Sequence, residues 1–530
     1  MSGQVPCRAA RMTVTSLARC LETAVGLLRD RPFLIGDGAE MTFGEFDDLS
    51  GRLANVLMAQ GIGRGDVVGL YLPSCPFLSA GYFACQKIGA IAAPISGMNR
   101  AHEVRPILER TRMRVVVADS QTAPEALRAR ENIGHGVAIL VTGRDTGAGA
   151  GDAIPLDAAL ARARADCAPL PLRPDEPAAL FFTSGTTGAP KGAVQTQRSI
   201  TTTLRDMAVH AGFGWDREVF LCALPVFNNF GATVMVNGAV YNGARLVMIE
   251  RWDTDKVLDA ITRHRATYMA GAPTMFLYML RAFDPRRHDL SSMRLGVAAG
   301  APVAPEILTR FHEVTGVPVL ELYGATEVSG GATAQPLVGV RKRGSAGVPL
   351  GATRICIVDD AGAPLPTGEI GEVRVKGDIV GAGYWGDEET TAASFSEAGW
   401  LSGDIGHLDE DGYLFIVDRK KDVIIAGGYN IYPLEVEDLL FRHPHVGVCA
   451  VIGVPDPDKG EIPAAVLIPR AGQSLDPAEL LAFCRQNLAA YKVPRRLFTV
   501  DEMPHGPTGK ILKRTLRDWV AEGRMTEVTP

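Results

Sequence analysis

The fold and chemistry of this chain are decided by residues 183–192, Thr-Ser-Gly-Thr-Thr-Gly-Ala-Pro-Lys-Gly, which directly follow the apolar run Ala-Ala-Leu-Phe-Phe at 178–182. The glycines let the backbone bend tightly and approach a ligand closely. Four hydroxyl groups and several N–H groups can surround phosphate oxygens, and Lys191 adds a positive charge. The segment is not a Walker A loop, because Lys191 follows Pro190 and precedes Gly192. It predicts a phosphate-binding loop, with an ordinary Gly/Ser/Thr loop as the alternative.

Strands and helices alternate in the sequence before this loop. Thr42 and Glu45 form a capping-box start for a helix that continues, with apolar residues at helical spacing, to about residue 60. The apolar run at 67–72 is typical of a buried strand, and residues 77–90 are typical of a helix. Because strands that alternate with helices form parallel sheets, we predict an α/β fold.

The character of the sequence changes twice after the loop. Short strands with Gly turns dominate residues 340–418, which predicts a β-rich subdomain. Further on, helices and strands alternate in a compact α+β region. We therefore predict a large N-terminal domain at 1–418, a hinge at 419–422 and a small mobile C-terminal domain at 423–530. Residues 142–177, which are rich in Gly, Ala, Pro and Asp, are expected to be a surface connection.

Composition excludes several classes of protein. The chain has 530 residues, is 46% hydrophobic and 22% charged, and carries a net charge of −6. These are ordinary globular values, and the charge gives no reason to expect a nucleic acid or an anionic membrane as partner. The nine cysteines form no C-x-x-C pair, so we expect buried thiols in a reducing compartment. Without a secretory signal or a spanning apolar run, the protein is predicted to be soluble and cytoplasmic.

Six further motifs follow the loop in order. They are Gly300-Ala-Pro302, Tyr323-Gly-Ala-Thr-Glu327, Trp400-Leu-Ser-Gly-Asp404, Asp418-Arg-Lys-Lys-Asp422, Gly427-Gly-Tyr-Asn430 and Pro507-Thr-Gly-Lys510. Taken singly, each string could be a turn or a solvated charge run. Together they resemble the signature motifs of the adenylate-forming superfamily, which includes acyl-CoA synthetases, aryl-CoA ligases, firefly-type luciferases and peptide-synthetase adenylation domains. The resemblance covers roughly residues 20–520.

The resemblance implies a site for ATP and AMP. Tyr323 would stack on adenine, Asp404 would accept both ribose hydroxyls, and Arg419 would contact the ribose–phosphate region. Ile416 would pack on the adenine. The implied nucleotide-binding residues are, in full, Thr183, Ser184, Gly185, Thr186, Thr187, Gly188, Lys191, Gly300, Ala301, Pro302, Tyr323, Gly324, Ala325, Thr326, Asp404, Ile416, Arg419 and Lys510.

The resemblance also implies the catalytic and acceptor residues. Lys510 would bridge the carboxylate and the α-phosphate, and Thr326 would bond the phosphate or the substrate carboxylate. Glu327 would hold Mg²⁺, a hard cation that prefers carboxylate and phosphate oxygens. Lys421 would be the pivot of a domain rotation that exchanges the two half-reactions. The implied channel for the pantetheine arm of CoA consists of Gly427, Gly428 and Tyr429.

The acyl pocket is where this chain departs from its relatives. In Leu224-Pro-Val-Phe-Asn-Asn-Phe-Gly231, many relatives have His at the position of Asn228, and Asn cannot titrate. Asn229 could hydrogen-bond a polar group on the acid or satisfy backbone instead. The residues implied to line the pocket are Asn228, Asn229, Gly231, Met269, Gly271, Gly324 and Val328.

We therefore expect an ATP- and Mg²⁺-dependent acyl-CoA synthetase, in which acid and ATP give acyl-AMP and pyrophosphate before the acyl group passes to the CoA thiol. The sequence favours an aliphatic or alicyclic monocarboxylate as the acid. The alternatives are an aryl-CoA ligase, a stand-alone enzyme that loads a carrier-protein thiol, a luciferase-like oxygenase and a non-enzymatic nucleotide-binding module. A homodimer is left open.

Overall fold

The computed structural model describes residues 16–36, 39–143, 153–183, 191–301, 305–470, 472–505 and 511–529. Within these ranges the chain forms four β-sheets with helices packed on them. The expected α/β architecture, with an α+β region at the C-terminal end, is confirmed. No helix in the described ranges is long and apolar enough to cross a membrane.

The first large sheet carries the strand that leads into the phosphate loop. Its seven described strands are parallel except the last, which runs antiparallel to its neighbour. In spatial order they are Ile154–Pro155, Ala138–Thr142, Val115–Asp119, Val67–Tyr71, Ile91–Pro94, Pro177–Thr183 and Lys191–Thr196. The helix Phe43–Ala59 precedes these strands in the chain, and the helices between them are Pro76–Ile88, Ala101–Thr111, Ala123–Arg130 and Leu156–Arg162.

The helix predicted at 42–60 begins as the sequence indicates. Glu45 N–H donates to the Thr42 hydroxyl at 3.1 Å, and Thr42 N–H donates to the Glu45 carboxylate at 2.8 Å. The next predicted helix ends at Gly89, which adopts the left-handed conformation (φ 69°) that terminates a helix cheaply only in glycine. Both predictions are confirmed because the capping chemistry is local.

The second large sheet supplies the strands beside the motifs predicted to bind adenine. In spatial order, its nine described strands are Val348–Pro349, Thr333–Ala334, Val319–Tyr323, Leu295–Ala299, Tyr268–Gly271, Val219–Cys222, Arg245–Met248, Pro32–Gly36 and Ala39–Thr42. Its helices are Leu17–Leu28, Gln197–Ala211, the π-helical Phe230–Asn237, Gly238–Asn242, Thr254–His264, Pro273–Ala282 and Pro305–Thr315. One apolar core contains residues from both large sheets, including Phe181 and Phe220, and from the helix Phe43–Ala59, including Phe46.

Two smaller sheets follow, in the regions where the sequence predicts a change of character. The first contains Arg354–Val358, Gly371–Lys376, Phe395–Ser396, Gly399–Leu408 and Leu414–Arg419, with the helix Glu388–Ser394. The second contains Ile424–Ala426, Tyr429–Ile431, Val446–Asp456, Gly460–Pro469, Arg496–Thr499 and Thr526–Val528, with the helices Pro433–Phe441, Pro477–Asn487 and Lys513–Ala521. The exact domain boundaries and the role of 419–422 as a hinge stay predictions.

The region expected to be only a surface connection, 142–177, contains regular structure in its described part. It forms the edge strand Ile154–Pro155 and the helix Leu156–Arg162. Leu156 is fully buried in the apolar core, and Asp157 accepts a hydrogen bond from the Thr142 hydroxyl at 2.8 Å. Most described residues of this region are exposed or half-buried, as expected of a surface connection, but one buried leucine and one carboxylate anchor a short helix that the composition did not predict.

Candidate active site

The two ends of the phosphate loop are held side by side. Thr183 and Lys191 are paired across antiparallel strands, and the Thr183 hydroxyl lies 3.5 Å from the Lys191 carbonyl oxygen. The predicted loop residues Ser184, Gly185, Thr186, Thr187 and Gly188 lie outside the described residues. The strand pair thus places Lys191 at the start of the returning strand, next to the loop.

Tyr384 connects the phosphate-loop lysine to the carboxylate predicted to bind the metal. Lys191 Nζ lies 5.5 Å from the centroid of the Tyr384 ring, and the Tyr384 hydroxyl donates to Glu327 Oε1 at 2.9 Å. Burial and the adjacent Glu327 charge raise the pKa of Tyr384 above its ordinary value, so it remains a donor. Backbone bonds hold the Tyr384 segment to the lysine strand, including Trp385 N–H to the Gly192 carbonyl at 2.8 Å.

The surroundings of Glu327 fit Mg²⁺ bound together with a nucleotide. Among the described residues no group of three or more His, Cys, Asp or Glu side chains could hold a metal ion without a ligand. Mg²⁺ usually takes one or two protein carboxylates and completes its shell with phosphate oxygens and waters. A single carboxylate beside the phosphate-loop lysine matches that donor set.

Tyr323, Asp404 and Arg419 meet although 81 residues separate the first two. The Tyr323 hydroxyl donates to Asp404 Oδ2 at 2.6 Å, and Arg419 Nε lies 2.7 Å from Asp404 Oδ1. Asp404 is only 3% exposed. Burial, together with the Asp404 charge, raises the pKa of Tyr323 well above its ordinary value. Both carboxylate oxygens are therefore oriented by donors, and each keeps a lone pair for a further hydroxyl.

The residues implied to surround adenine lie at one edge of the second large sheet. Ala299 pairs with Leu322 at the carboxyl ends of adjacent parallel strands, which puts Gly300 beside Tyr323. Gly300 has φ 86° and open space where a Cβ would be. Ala301 is exposed, and Pro302 lies outside the described residues. Ile416 packs on the same hydrophobic cluster as Tyr323.

A tight turn carries the next part of the motif. A Cβ at Gly324 would lie 1.6 Å from the Gly330 carbonyl oxygen, so glycine is required by the backbone and not by room for a ligand. The Ala325 carbonyl accepts from Gly330 N–H at 3.1 Å. The Thr326 carbonyl accepts from the buried Gln195 side chain at 3.0 Å. The sequence contained no motif signal for Gln195.

The two asparagines of the acyl segment have different environments. The Asn228 side-chain oxygen accepts from Gly231 N–H at 3.0 Å, so it caps the helix that begins at Phe230. Asn229 is buried and accepts from Gln195 Nε2 at 2.6 Å. A Cβ at Gly231 would lie 2.2 Å from the Pro225 carbonyl oxygen, which explains the glycine by packing.

Three other residues implied to line the pocket pack against neighbouring side chains of the protein. Met269 is fully buried in the cluster beneath the helices Thr254–His264 and Pro273–Ala282. A Cβ at Gly271 would contact the flexible Met275 sulfur at 3.0 Å. Val328 is fully buried against the β-rich sheet, in one cluster with Trp400. Their burial is accounted for without a ligand.

The glycine loop of the C-terminal region borders a cavity of about 170 Å³. Gly427 and Gly428 have φ 57° and 84°, in the left-handed region that favours glycine. Tyr429 stacks on Tyr491 with ring centroids 4.9 Å apart. The cavity is lined by Ala426, Gly427, Tyr429, Lys459, Ile462, Pro463, Tyr491 and Arg495. It therefore combines two aromatic rings with two cations.

The predicted pivot lies between residues anchored on opposite sides. Lys420 Nζ is 3.0 Å from the Glu372 carboxylate of the β-rich sheet. Asp422 pairs with Arg517, of the helix Lys513–Ala521, at 3.1 Å. Lys421 is exposed between them, in the 3₁₀ turn Lys420–Asp422. The predicted catalytic Lys510 lies outside the described residues.

Glu321, two residues before Tyr323, makes it possible to test how burial in the strand Val319–Tyr323 affects a carboxyl group. Desolvation raises the pKa of its carboxyl from 4.5 to about 8. Because the folded state holds this proton more tightly than the unfolded state, stability is lost as pH rises from about 4.5 to about 8. We expect Glu321→Gln to raise the melting temperature of the ligand-free protein at pH 9, but not at pH 4.5. The exposed Glu313→Gln is the control, and an equal shift at both pH values would contradict the prediction.

Comparison with known proteins bears on what this geometry does. The AMP-binding enzyme family profile matches residues 21–385, and the profile of the AMP-binding enzyme C-terminal domain matches 435–510. A feruloyl-CoA synthase of an Amycolatopsis species is 36% identical over 91% of this chain and 94% of its own. A long-chain-fatty-acid–CoA ligase, FadD13 of Mycobacterium tuberculosis, is 33% identical over 90% and 93%.

Solved structures agree with the sequence comparisons. ATP-bound MatB from Rhodopseudomonas palustris superimposes with a TM-score of 0.86 at 31% identity, covering 94% of this chain and 98% of its own. Two family profiles, relatives that match over nearly the full length and a structural match over nearly the full length thus agree with the family that the ordered motifs indicate. The chain belongs to the AMP-binding enzyme family, the adenylate-forming superfamily of our prediction, and within it to the AMP-forming acid–thiol ligases of the acyl-CoA synthetase type.

Proposed function

We propose that this enzyme joins an aliphatic or alicyclic monocarboxylate to CoA through an acyl-adenylate, with Mg²⁺ held by Glu327. One observation carries the proposal: Lys191 and Glu327 approach the same tyrosine ring, Tyr384, so the groups expected at the phosphates and at the metal converge. The buried pair Tyr323 and Asp404 offers an aromatic ring and a carboxylate for the nucleoside.

In the first half-reaction a carboxylate oxygen of the acid attacks the α-phosphorus of ATP. The new P–O bond replaces the bond to the β-phosphate, and pyrophosphate leaves. Both reactants are anions, so Lys191, Lys510 and the Thr326 hydroxyl are assigned to hold them in line and to reduce repulsion. Bound Mg²⁺ supplies further charge neutralisation.

In the second half-reaction the CoA sulfur attacks the acyl carbonyl carbon. The C–O bond to phosphate breaks, AMP leaves, and the thiol proton passes to solvent. We assign Lys421 as the pivot between the two half-reactions, because Lys420 and Asp422 on either side are anchored to different sheets and helices. Such a rotation would exchange Lys510 for the Gly427–Gly428 loop.

The acid is the least constrained part of the proposal. The relatives named above act, by their names, on an aromatic acid and on long-chain fatty acids, so they do not choose between classes. The described side chains nearest Asn229 in its hydrogen-bond network, Gln195 and Thr233, are neutral, which favours a monocarboxylate over a diacid. An aryl acid is the second candidate, because the feruloyl-CoA synthase is 36% identical.

The cavity beside the glycine loop supports CoA as the acceptor. Two stacked tyrosines and the cations Lys459 and Arg495 suit the adenine ring and the phosphates of CoA. We expect Arg495→Ala to raise the KM for CoA about 10-fold, which is the size of one charge-assisted hydrogen bond. Acid-dependent pyrophosphate exchange, which needs no CoA, should be unchanged.

Two controls make this test specific. Arg485→Ala removes an exposed arginine from a neighbouring helix and should leave the KM for CoA as it is. If Arg495 contacts the 3′-phosphate, the wild-type enzyme should have a higher KM for dephospho-CoA than for CoA. In Arg495→Ala the difference between these two KM values should be smaller. If Arg495→Ala and Arg485→Ala have the same KM for CoA, this cavity is not part of the CoA site.

One assay tests the proposed function as a whole. Acid-dependent release of AMP is measured with ATP and Mg²⁺ over a panel of aliphatic, alicyclic, aromatic and dicarboxylic acids. The acceptor is either CoA or a carrier protein that bears phosphopantetheine. We expect turnover with CoA and a monocarboxylate. Turnover with the carrier protein alone would overturn the assignment of CoA as the acceptor, and preference for a diacid would overturn the acid class.

A further inference from the structure

Gln195 is a fully buried polar residue that links the acyl segment to the adenylation motif. Its side-chain nitrogen donates to Asn229 Oδ1 at 2.6 Å and to the Thr326 carbonyl at 3.0 Å. Its side-chain oxygen accepts from the Thr233 hydroxyl at 3.2 Å. Both N–H groups of Gln195 are therefore in use, and the residue has no donor left for a substrate.

This network fixes the orientation of the Asn229 amide. The Thr326 carbonyl can only accept, so the Gln195 atom facing it must be the nitrogen. The Asn229 atom 2.6 Å from that same nitrogen must then be its oxygen. Asn229 Nδ2 is consequently turned away from Gln195. Among the described residues it donates no hydrogen bond, and it lies 3.9 Å from where a Cβ at Gly330 would be.

The amide donor of Asn229 is open to a bound molecule. The residue is 6% exposed, and Nδ2 is not one of the fully buried side-chain atoms that lack a partner, so its N–H groups can reach solvent or a ligand. A ligand acceptor that replaces water there contributes about 0.5–1.5 kcal/mol. The donor is also close to the proposed reaction centre. Asn229 Oδ1 and the Thr326 carbonyl oxygen both accept a hydrogen bond from Gln195 Nε2, at 2.6 Å and 3.0 Å. The distance between the two oxygens therefore cannot exceed the sum of these two distances.

The charge of the surroundings restricts what the acceptor can be. The residues of the network, Gln195, Asn229 and Thr233, are all neutral. A second carboxylate placed among them would be a buried charge without a counter-charge, which is far more costly than an unpaired amide. A hydroxyl, keto or ether oxygen accepts a hydrogen bond without that cost.

We propose that Asn229 Nδ2 selects acids whose acyl group carries a neutral oxygen acceptor, such as a hydroxyl, keto or ether oxygen, within a few bonds of the carboxyl carbon. The inference rests on the proposed function, and it narrows the acid class given there. Asn229 is a specificity-determining residue in this proposal, and Gln195 is the residue that positions it.

The test compares matched pairs of acids that share one carbon skeleton, with and without the oxygen acceptor. We expect the wild-type enzyme to show a kcat/KM at least about 10-fold higher for the acid with the acceptor, because a site built to donate a hydrogen bond rejects the analogue that lacks the partner. In Asn229→Leu, which keeps the branched shape and removes the donor, the ratio should fall to about one. The kcat/KM for the acid without the acceptor should stay within a few-fold.

Thr233→Val serves as the matched control on the same helix. It removes a bond to Gln195 but leaves Gln195 oriented by the Thr326 carbonyl, so the preference for the acceptor acid should persist. The inference is overturned if the wild-type enzyme does not discriminate within any pair, or if Asn229→Leu lowers both acids of a pair equally. If no acid at all releases AMP in the wild-type enzyme, the proposed function itself has failed.

Discussion

Replacing Asp404 by Asn is expected to raise the KM for ATP about 10–10²-fold, because losing a hydrogen bond between the nucleotide and a charged group costs about 1.5–3 kcal/mol. The two Asp404 oxygens face two donors, the Tyr323 hydroxyl at 2.6 Å and Arg419 Nε at 2.7 Å. An amide has only one oxygen, so its NH₂ group must face one of these donors. KM is measured from acid-dependent AMP release, and the Kd for ATP from calorimetry without the acid.

Ribose analogues separate two roles of Asp404. If its oxygens accept the ribose hydroxyls, 2′,3′-dideoxy-ATP should bind the wild-type enzyme more weakly than ATP, and Asp404→Asn should bind both nucleotides alike. If Asp404 only orients Tyr323 and Arg419, the wild-type enzyme should not distinguish the two nucleotides. Asp378→Asn, a 64%-exposed carboxylate of the same subdomain, is the control and should leave the KM unchanged.

The sequence predicted those parts of the fold that depend on local chemistry. The Thr42–Glu45 capping box, the glycine at the end of the next helix and the β-branched strands are each determined within a few residues. The order of the motifs indicates which residues would bind the nucleotide, and those assignments stay predictions. Pattern alone, however, did not show that Tyr323 and Asp404 are hydrogen-bonded, because that contact depends on how two separate sheets meet.

Tyr384 and Gln195 show why the rest was missed. Tyr384 reaches Glu327 because residues 382–385 pair with the strand that begins at Lys191 and Gly381 N–H donates to the Glu327 carbonyl, contacts between segments far apart in the chain. Gln195 is itself buried in a strand whose residues 192–196 are all buried, so its polar side chain gives no periodic signal. Both residues act through tertiary contacts with motif residues, so only coordinates reveal them.

Two glycines of the predicted acyl pocket are explained by backbone packing. The resemblance implies that Gly231 and Gly324 line the acyl pocket. In the structure a Cβ at either position would collide with a backbone carbonyl, at 2.2 Å and 1.6 Å respectively. Their small size therefore serves the close approach of two backbone segments. Substrate preference is better argued from the buried donor of Asn229 than from these glycines.

Replacing Glu327 by Gln should lower the rate of acyl-adenylate formation about 10²–10³-fold, the usual loss when one preorganised charged or polar group is removed from the reacting phosphates. Pyrophosphate exchange without CoA isolates this half-reaction. If Glu327 binds Mg²⁺, the variant should need a higher Mg²⁺ concentration for half-maximal rate, since an amide oxygen is a weaker ligand than a carboxylate.

Tyr384→Phe distinguishes metal binding from positioning at Glu327. It removes only the hydroxyl that donates to Glu327 at 2.9 Å and keeps the ring that Lys191 Nζ approaches at 5.5 Å. The rate should fall about 10-fold, as for the loss of one hydrogen bond to a charged group, with little change in the Mg²⁺ requirement. If Glu327→Gln instead has the same Mg²⁺ dependence as the wild-type enzyme, Glu327 is not a metal ligand. The hydrogen bond from the Tyr384 hydroxyl, which the amide oxygen of Gln can also accept, would then show that the side chain at position 327 positions the ring beside Lys191.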